Sequence, residues 1–527
     1  MHAHASDEVV VIGAGVGGLA ASVWLASAGF RVTVVEKSDV PGGKMREIEV
    51  AGRGIDCGPT VFTLRAVFDE LFAAAGERLD DHLRLMPADI LARHAWADGS
   101  RLDLFSDPAR SADAIGDFAG ARAARGFRDF CREAERIYRT LDALYLRNQQ
   151  TSPLGLSLRL GPGRVTDLLA LRPYTSMWRA LGGHFADQRL RQLFGRYATY
   201  AGCSPFQAPA TLMLIAHVES RGVWLPEGGM HALARAIEAL ARRKGVQFRH
   251  GAAVEEILVS GGRVSGVALA GGERIDADHV VANADPAAMA AGRFGAAARR
   301  AVPPVPVQAR SLSALTLAIL GEAHGFPLVR HNVFFSRDYA GEFADLGRGA
   351  LPRDPTIYIC AEDRGAAETE GRGAPGRALA PERLLAPERL LAIVNAPPLA
   401  DSRPLSAQEI SQCVETSFQR LEAMGLSIEP VQEGLRVTSP ADFEARYPGS
   451  GGAIYGRAAH GPTESFRRPG ARTRLPGLYL AGGGVHPGAG VPMVALSGRL
   501  AAEALMADRA STPRFHRVAT SGGTSTR

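Results

Sequence analysis

The chain has 527 residues, 46% of them hydrophobic and 22% charged, with a formal net charge of +5. That composition excludes a fibrous or disordered chain and leaves room for two or three domains around a sizeable core. The positive balance is too weak to imply nucleic acid, and suits either an arginine-rich soluble surface or an anionic membrane. Five cysteines, Cys57, Cys131, Cys203, Cys360 and Cys413, are scattered without a CxxC spacing, which argues for a reducing compartment and against a metal site of the zinc type. No basic stretch precedes the first apolar run, so no signal peptide is expected and a cytoplasmic location follows.

That first run, VVVIGAGVGGLAASVWLASAGF from Val9 to Phe30, begins with β-branched residues that predict a buried parallel strand. Gly13, Gly15 and Gly18 form G-x-G-x-x-G, with Gly17 between them, and an Ala- and Leu-rich helix follows to Gly29. RVTVVEK is the next strand and ends on Glu36, with Lys37 behind it. Each part has a reason: Gly13 permits the tight turn, Gly15 lets backbone approach a pyrophosphate, and Gly18 lets helix and strand pack closely. The helix N-terminus offers free N–H groups to phosphate, and Glu36 is spaced to accept ribose hydroxyls. Strand, glycine turn, helix, strand and terminal acid together predict a dinucleotide site. Gly42, Gly43, Lys44 and Arg46 then supply a second glycine turn and cations, and a short hairpin leads to Gly58, Pro59 and Thr60. This continuation resembles the FAD-binding flavoprotein superfamily that includes amine oxidases, phytoene desaturases and Rab escort proteins, and implies FAD rather than NAD.

From Trp96 to Gly222 the sequence reads as a helical, arginine-rich cap that opens with the hairpin ADGSRLDLFSDP. Tyr174, Trp178, Phe185, Phe194 and Tyr197 alternate with Arg172, Arg179, Arg189, Arg191 and Arg196. Two readings stand: a surface lying on lipid headgroups, or a cap packed through its aromatics with solvated arginines. The next block opens at Gly228–Gly229 with an amphipathic helix ending at Lys244–Gly245, then short strands broken by glycine turns. Pro286 to Glu433 carries SLSALTLAILGEA, TIYICAED and RLLAIVNAPP, expected strands of an antiparallel substrate sheet; between the last two, APERLL occurs twice in tandem, expected as a loop insertion. Near the end, YLAGGGVHPGAGVPMVALSG is long enough to suggest a membrane span. Its glycines and prolines argue instead for a strand, a cofactor-facing turn through Gly482 and Gly483, and a helix starting near Val491 or Pro492, with Met493 behind. That helix N-terminus would favour negative charge on a flavin. The tail from residue 511 to 527 is expected to be disordered.

GLYLAGGGVHPGAGVPMV is similar to the C-terminal signature of bacterial-type carotenoid desaturases, and IDCGPTVFTLRAVFDELF and GVWLPEGGMHAL resemble that family's earlier landmarks. GPTVFTLRAVFDELF and GVPMVALSGR look most like its 1-hydroxycarotenoid 3,4-desaturases, which serve spheroidene and spirilloxanthin synthesis in purple phototrophic bacteria. The resemblance implies an α/β fold: a Rossmann-type FAD-binding domain assembled from 7–95, 223–285 and 434–510, a helical cap at 96–222, and an antiparallel-sheet substrate domain at 286–433. It implies that Val254 meets adenine through its backbone, and that the substrate is a carotenoid dissolved in a membrane, reached by peripheral association with the inner membrane. Asp167 falls where relatives place an acid near the substrate, and a solvated or capping role is the competing reading. His486 is the one titratable side chain of the C-terminal turn, a candidate catalytic group or a locally bonded turn residue. The glycines at Gly482 to Gly484 stand where amine oxidases carry an acid, which weighs against an amine substrate. Rival functions are a phytoene desaturase, an FAD-dependent carotenoid isomerase and a non-catalytic isoprenoid carrier. No electron acceptor is singled out.

Overall fold

The computed structural model describes residues 7–160, 171, 172, 174–365 and 387–511. Asp167 and the 512–527 tail lie outside the described residues. A five-stranded parallel sheet runs in the order Leu478–Leu480, His279–Ala282, Glu8–Ile12, Arg31–Val35, Gln247–Arg249. Its central strand, EVVVI, is apolar on both faces because both are covered. Val9 and Val11 point to the side packed by the helices, whereas Val10 and Ile12 pack towards a three-stranded antiparallel sheet made of Val254–Ser260, Arg263–Leu269 and Arg274–Asp276. Helix Val16–Ser27 is buried on nearly all sides, which explains its uncharged, mostly apolar sequence; it packs against helices Val491–Ser511 and Met230–Arg243. A Cβ on Gly498 would collide with the carbonyl of Gly17, so the first and last helices approach at backbone distance.

A second sheet has seven strands, in the order Ser427–Thr438, Ser313–His324, Glu388–Ala396, Ile357–Ala361, His331–Phe334, Ile90–Ala95, Arg101–Phe105. Its pairs are antiparallel except His331–Phe334 with Ile90–Ala95, which is parallel. The expected boundaries shift accordingly. Strand Ile90–Ala95 and the hairpin expected to open the cap belong to this sheet, and strand Ser427–Thr438 runs past residue 434. The second APERLL copy is not a loop: its Glu388 to Leu391 begin strand Glu388–Ala396, where Leu390 and Leu391 are fully buried. The first copy lies outside the described residues.

The cap is built on helix Ala121–Leu141, whose apolar stripe buries Phe127 and Phe130 against helices Met177–His184 and Gln188–Gly195. Phe127, Phe130, Phe185 and Phe194 form one ring cluster with centroids 4.7–5.7 Å apart. Phe185, Phe194 and Tyr197 are buried and Trp178 is half-buried, so these aromatics are core; Tyr174 is exposed. The apolar groups that do face outward are Leu154 and Leu158, on helix Pro153–Leu160, 71% and 73% exposed.

Candidate active site

The carboxyl ends of the parallel strands bring four loops together, the place where open α/β sheets bind ligands. Between this edge, the cap and the seven-stranded sheet lies one cavity of about 1500 Å³. One wall is backbone. Gly13 has φ of 92° and donates its N–H to the Val35 carbonyl at 2.8 Å, closing the turn after the first strand. A Cβ on Gly15 would lie 2.6 Å from Asn283 Nδ2, one on Gly17 would lie 2.9 Å from the Gly482 nitrogen, and one on Gly18 would strike the Gly13 carbonyl. The glycines therefore seat three separate chain segments against each other. Helix Val16–Ser27 has Gly15 as its N-cap and no side-chain cap, so its first N–H groups have no side-chain acceptor.

Glu36 is buried at the end of the second strand, and its carboxylate accepts the Ala14 N–H at 2.7 Å and the Ser38 N–H at 2.9 Å. Each oxygen keeps a lone pair for a hydroxyl on the cavity side. Lys37 donates to the Arg446 carbonyl; burial lowers its pKa, with Glu36 opposing. Gly43 packs beside Gly15, and Lys44 donates to the Ile454 carbonyl at 2.8 Å. Burial also lowers the Lys44 pKa, against the pull of Asp285. Pro59 and Thr60 line the cavity, as do Val254, Gly482, Gly483, Val491, Pro492 and Met493. The Gly482 N–H donates to Ser497 Oγ at 2.8 Å, which ties the last glycine turn to the helix that follows it. The cavity thus brings together every expected cofactor residue except Gly17 and Gly18, which sit behind the wall as packing glycines.

His486 is not part of the cavity wall. Its Nε2 lies 2.9 Å from the carbonyls of both Tyr145 and Asn148, so that nitrogen carries the proton and donates, while the buried Nδ1 has no partner among the described residues. Burial lowers its pKa. The expectation of a catalytic His486 is therefore corrected: the side chain anchors the cap to the glycine turn, and its partners are distant in sequence rather than local.

Three groups escaped sequence reasoning on the cradle side. Asn283 and Asp285 follow strand His279–Ala282 and line the cavity, a position that the carboxyl-end rule for parallel strands would have flagged. Arg468 is buried in an irregular segment and gave no local signal; it donates to the carbonyls of Gly483 at 2.7 Å, Tyr455 at 3.0 Å and Arg457, holding the turn in place. On the opposite wall the cap contributes Leu141, Leu146, Leu156, Leu171, Ile215 and Val218, all apolar. The cavity therefore joins a polar, backbone-lined cradle to an apolar chamber.

The family model described as flavin containing amine oxidoreductase matches residues 16–506. Hydroxyneurosporene desaturase of Rubrivivax gelatinosus is 51% identical, covering 99% of this chain and 97% of the relative. Hydroxyneurosporene desaturase of Cereibacter sphaeroides is 47% identical, covering 96% and 99%. Phytoene dehydrogenase of Streptomyces griseus is 35% identical, covering 96% and 97%. Among solved structures, putrescine oxidase superposes with a TM-score of 0.57 at 15% identity, covering 96% of this chain and 99% of the other, and shows the fold alone. The cradle, lined by glycine backbone, by the uncapped N–H groups at the start of helix Val16–Ser27 and by buried Lys44, fits a flavin nucleotide. The chain belongs to the flavin containing amine oxidoreductase family and, within it, to the carotenoid desaturases.

Proposed function

We propose that this protein is an FAD-dependent desaturase that introduces the C3–C4 double bond into 1-hydroxy or 1-methoxy acyclic carotenoids. The observation that carries this reading is the continuity of the cavity: a dinucleotide cradle opens without a barrier onto an apolar chamber. The names of the relatives that span nearly the whole chain supply the substrate class. Ala14, Glu36 and the glycines would hold the adenosine and pyrophosphate half, and Lys44 and the Val491–Ser511 helix start would face the ring system. When bound, the flavin supplies a two-electron acceptor for the hydrogen removed from the carbon beside the polyene.

The chain's own residues position and desolvate. The apolar cap wall excludes water and lays a flat chain along the cradle. The carboxylates on the chamber side are already engaged: Glu219 accepts two tyrosine hydroxyls, and Glu342 accepts from Ser336, Thr356 and Asn395. Loss of the second hydrogen as a proton from a conjugated cation needs no strong base, so this arrangement suits the reaction.

The substrate dissolves only in membranes, and helix Pro153–Leu160 fits peripheral contact with one. Its Leu154 and Leu158 face outward while Leu156 lines the cavity, so one helix joins an apolar surface to the chamber. Among the described residues no helix is long and apolar enough to cross a membrane. The test is to supply the FAD-loaded protein in liposomes with phytoene, neurosporene and 1-hydroxyneurosporene separately. A red shift and loss of two hydrogens by mass for the hydroxylated compound alone is the expected result. Conversion of phytoene instead overturns the assignment, and binding without mass change points to a carrier or isomerase.

A further inference from the structure

Polar side chains interrupt the apolar chamber: Thr316, Glu342, Thr356 and Asn395 line it, and so does a buried cluster around Arg196 and Tyr339. Arg196 and Tyr339 line the cavity and are 7% and 5% exposed. Glu219, Tyr200, Tyr358 and Thr60 line the same space. Most of the patch is saturated. Glu219 accepts Tyr197 Oη at 2.6 Å and Tyr200 Oη at 2.7 Å. Tyr358 Oη donates to Thr60 Oγ1 at 2.7 Å and meets His331 Nδ1 at 2.7 Å. Two groups of this cluster are left over: Arg196 Nε and the Tyr339 hydroxyl are buried with no hydrogen-bond partner among the described residues, as is Thr316 Oγ1 on the same cavity lining. Arg196 lies over the Tyr200 ring, 5.1 Å from its centroid, and within electrostatic reach of Tyr339, Tyr358 and Glu219.

Buried donors without acceptors are destabilising, and native proteins keep them where something else supplies the acceptor. The Glu219 carboxylate already offsets the Arg196 charge, so the patch lacks an acceptor rather than an anion. A neutral oxygen on an otherwise apolar chain matches that deficit. We infer that Arg196 and Tyr339 bind the terminal hydroxyl or ether oxygen of the carotenoid and so determine specificity for oxygenated over hydrocarbon chains. This deepens the proposed function and rests on it. The location gives the oxygen a second use. Thr60 ties the patch to the Gly58–Thr60 segment, and Gly58 packs against the Lys44 carbonyl of the cradle. An oxygen on C1 stands two carbons from C3. Holding it there sets the register of a polyene that would otherwise slide along an apolar wall.

The test uses flavin-loaded protein in liposomes, with 1-hydroxyneurosporene and neurosporene as probes. Binding is read by quenching of tryptophan fluorescence, and products by mass. Tyr339→Phe removes only the hydroxyl and keeps the ring packed on Trp178, whose centroid is 5.8 Å away. Arg196→Lys keeps the charge and displaces the donor. The wild type is expected to bind the hydroxylated chain more tightly than the hydrocarbon. Each variant should lose about 10-fold or more of affinity for the hydroxylated chain alone, narrowing the gap, with its flavin spectrum and thermal midpoint retained. Equal losses for both chains, or an undiminished gap, overturn the inference. A wild type that desaturates the hydroxylated chain yet binds both alike overturns this inference and spares the proposed function; a wild type that desaturates neither overturns both.

Discussion

The cradle wall and the chamber wall of the cavity are built on opposite principles. The cradle is shaped by backbone: Gly15, Gly17 and Gly18 have no side chain because Asn283, Gly482 and the Gly13 carbonyl occupy that space. The chamber is shaped by side chains drawn from the cap and the seven-stranded sheet, apolar except at Arg196, Tyr339 and their neighbours. A backbone-shaped wall tolerates no added atoms; a side-chain-shaped wall accepts exchange and can diverge in substrate while the cradle stays fixed.

The largest effect is expected at the cradle. Gly18→Ala places a methyl group against the Gly13 carbonyl. It should destabilise the protein by about 3 kcal/mol and abolish flavin retention, measured by visible absorbance after gel filtration. A variant that keeps its flavin would break the comparison. Glu36→Ala comes next: it strands the Ala14 and Ser38 N–H groups and removes the hydroxyl acceptor. Flavin binding, followed by fluorescence, should weaken at least about 10-fold while the apolar chamber still takes up carotenoid.

A chamber-side change should leave the cradle untouched. Replacing Leu154 and Leu158 together with serine should weaken liposome co-sedimentation roughly 10-fold with flavin content unchanged. The smallest effect belongs to the seam between the halves, where Glu362 sits beside Asp56 of the Glu47–Val50 and Arg53–Asp56 hairpin. Burial, reinforced by Asp56, pushes the Glu362 carboxyl up to about 8, with Arg389 and Arg330 opposing. The folded protein therefore keeps a proton that the unfolded chain releases above its ordinary value of 4.5. This contribution is fully present below that value and is lost as pH rises through about 8. Glu362→Gln should flatten this slope, gaining at least about 1 kcal/mol over the wild type near pH 9 and nothing below pH 4.5 in urea melts.

The cradle was legible in the sequence because its information is local. Gly13, Gly15 and Gly18 are adjacent, Glu36 follows at the next strand end, and Val491 and Pro492 mark a helix start. The chamber was not, because its groups converge from remote segments. Arg196, Tyr339 and Tyr358 share no spacing. The run of aromatics and arginines from Arg172 to Tyr197 read equally well as surface or core; Phe185 and Phe194 turn inward only because Phe130, on an earlier helix, supplies a partner. His486 misled for the same reason, since its carbonyl partners lie more than 300 residues away. Strand Ile90–Ala95 was placed with the wrong block because its parallel neighbour, His331–Phe334, comes far later in the chain.

The contact between helix Val16–Ser27 and helix Val491–Ser511 has a consequence for how the protein is made. The first helix is apolar on nearly every side, yet the surface that covers one flank is among the last parts of the chain to be synthesised. The edge strand Leu478–Leu480, which completes the sheet, arrives just before it. For most of translation the emerging polypeptide therefore displays a greasy helix and an unfinished sheet edge, a state prone to aggregation and in need of chaperone cover. Keeping the flavin waits on helix Val491–Ser511, and a chain cut before Leu478 lacks both the strand that completes the sheet and the helix that covers the first one.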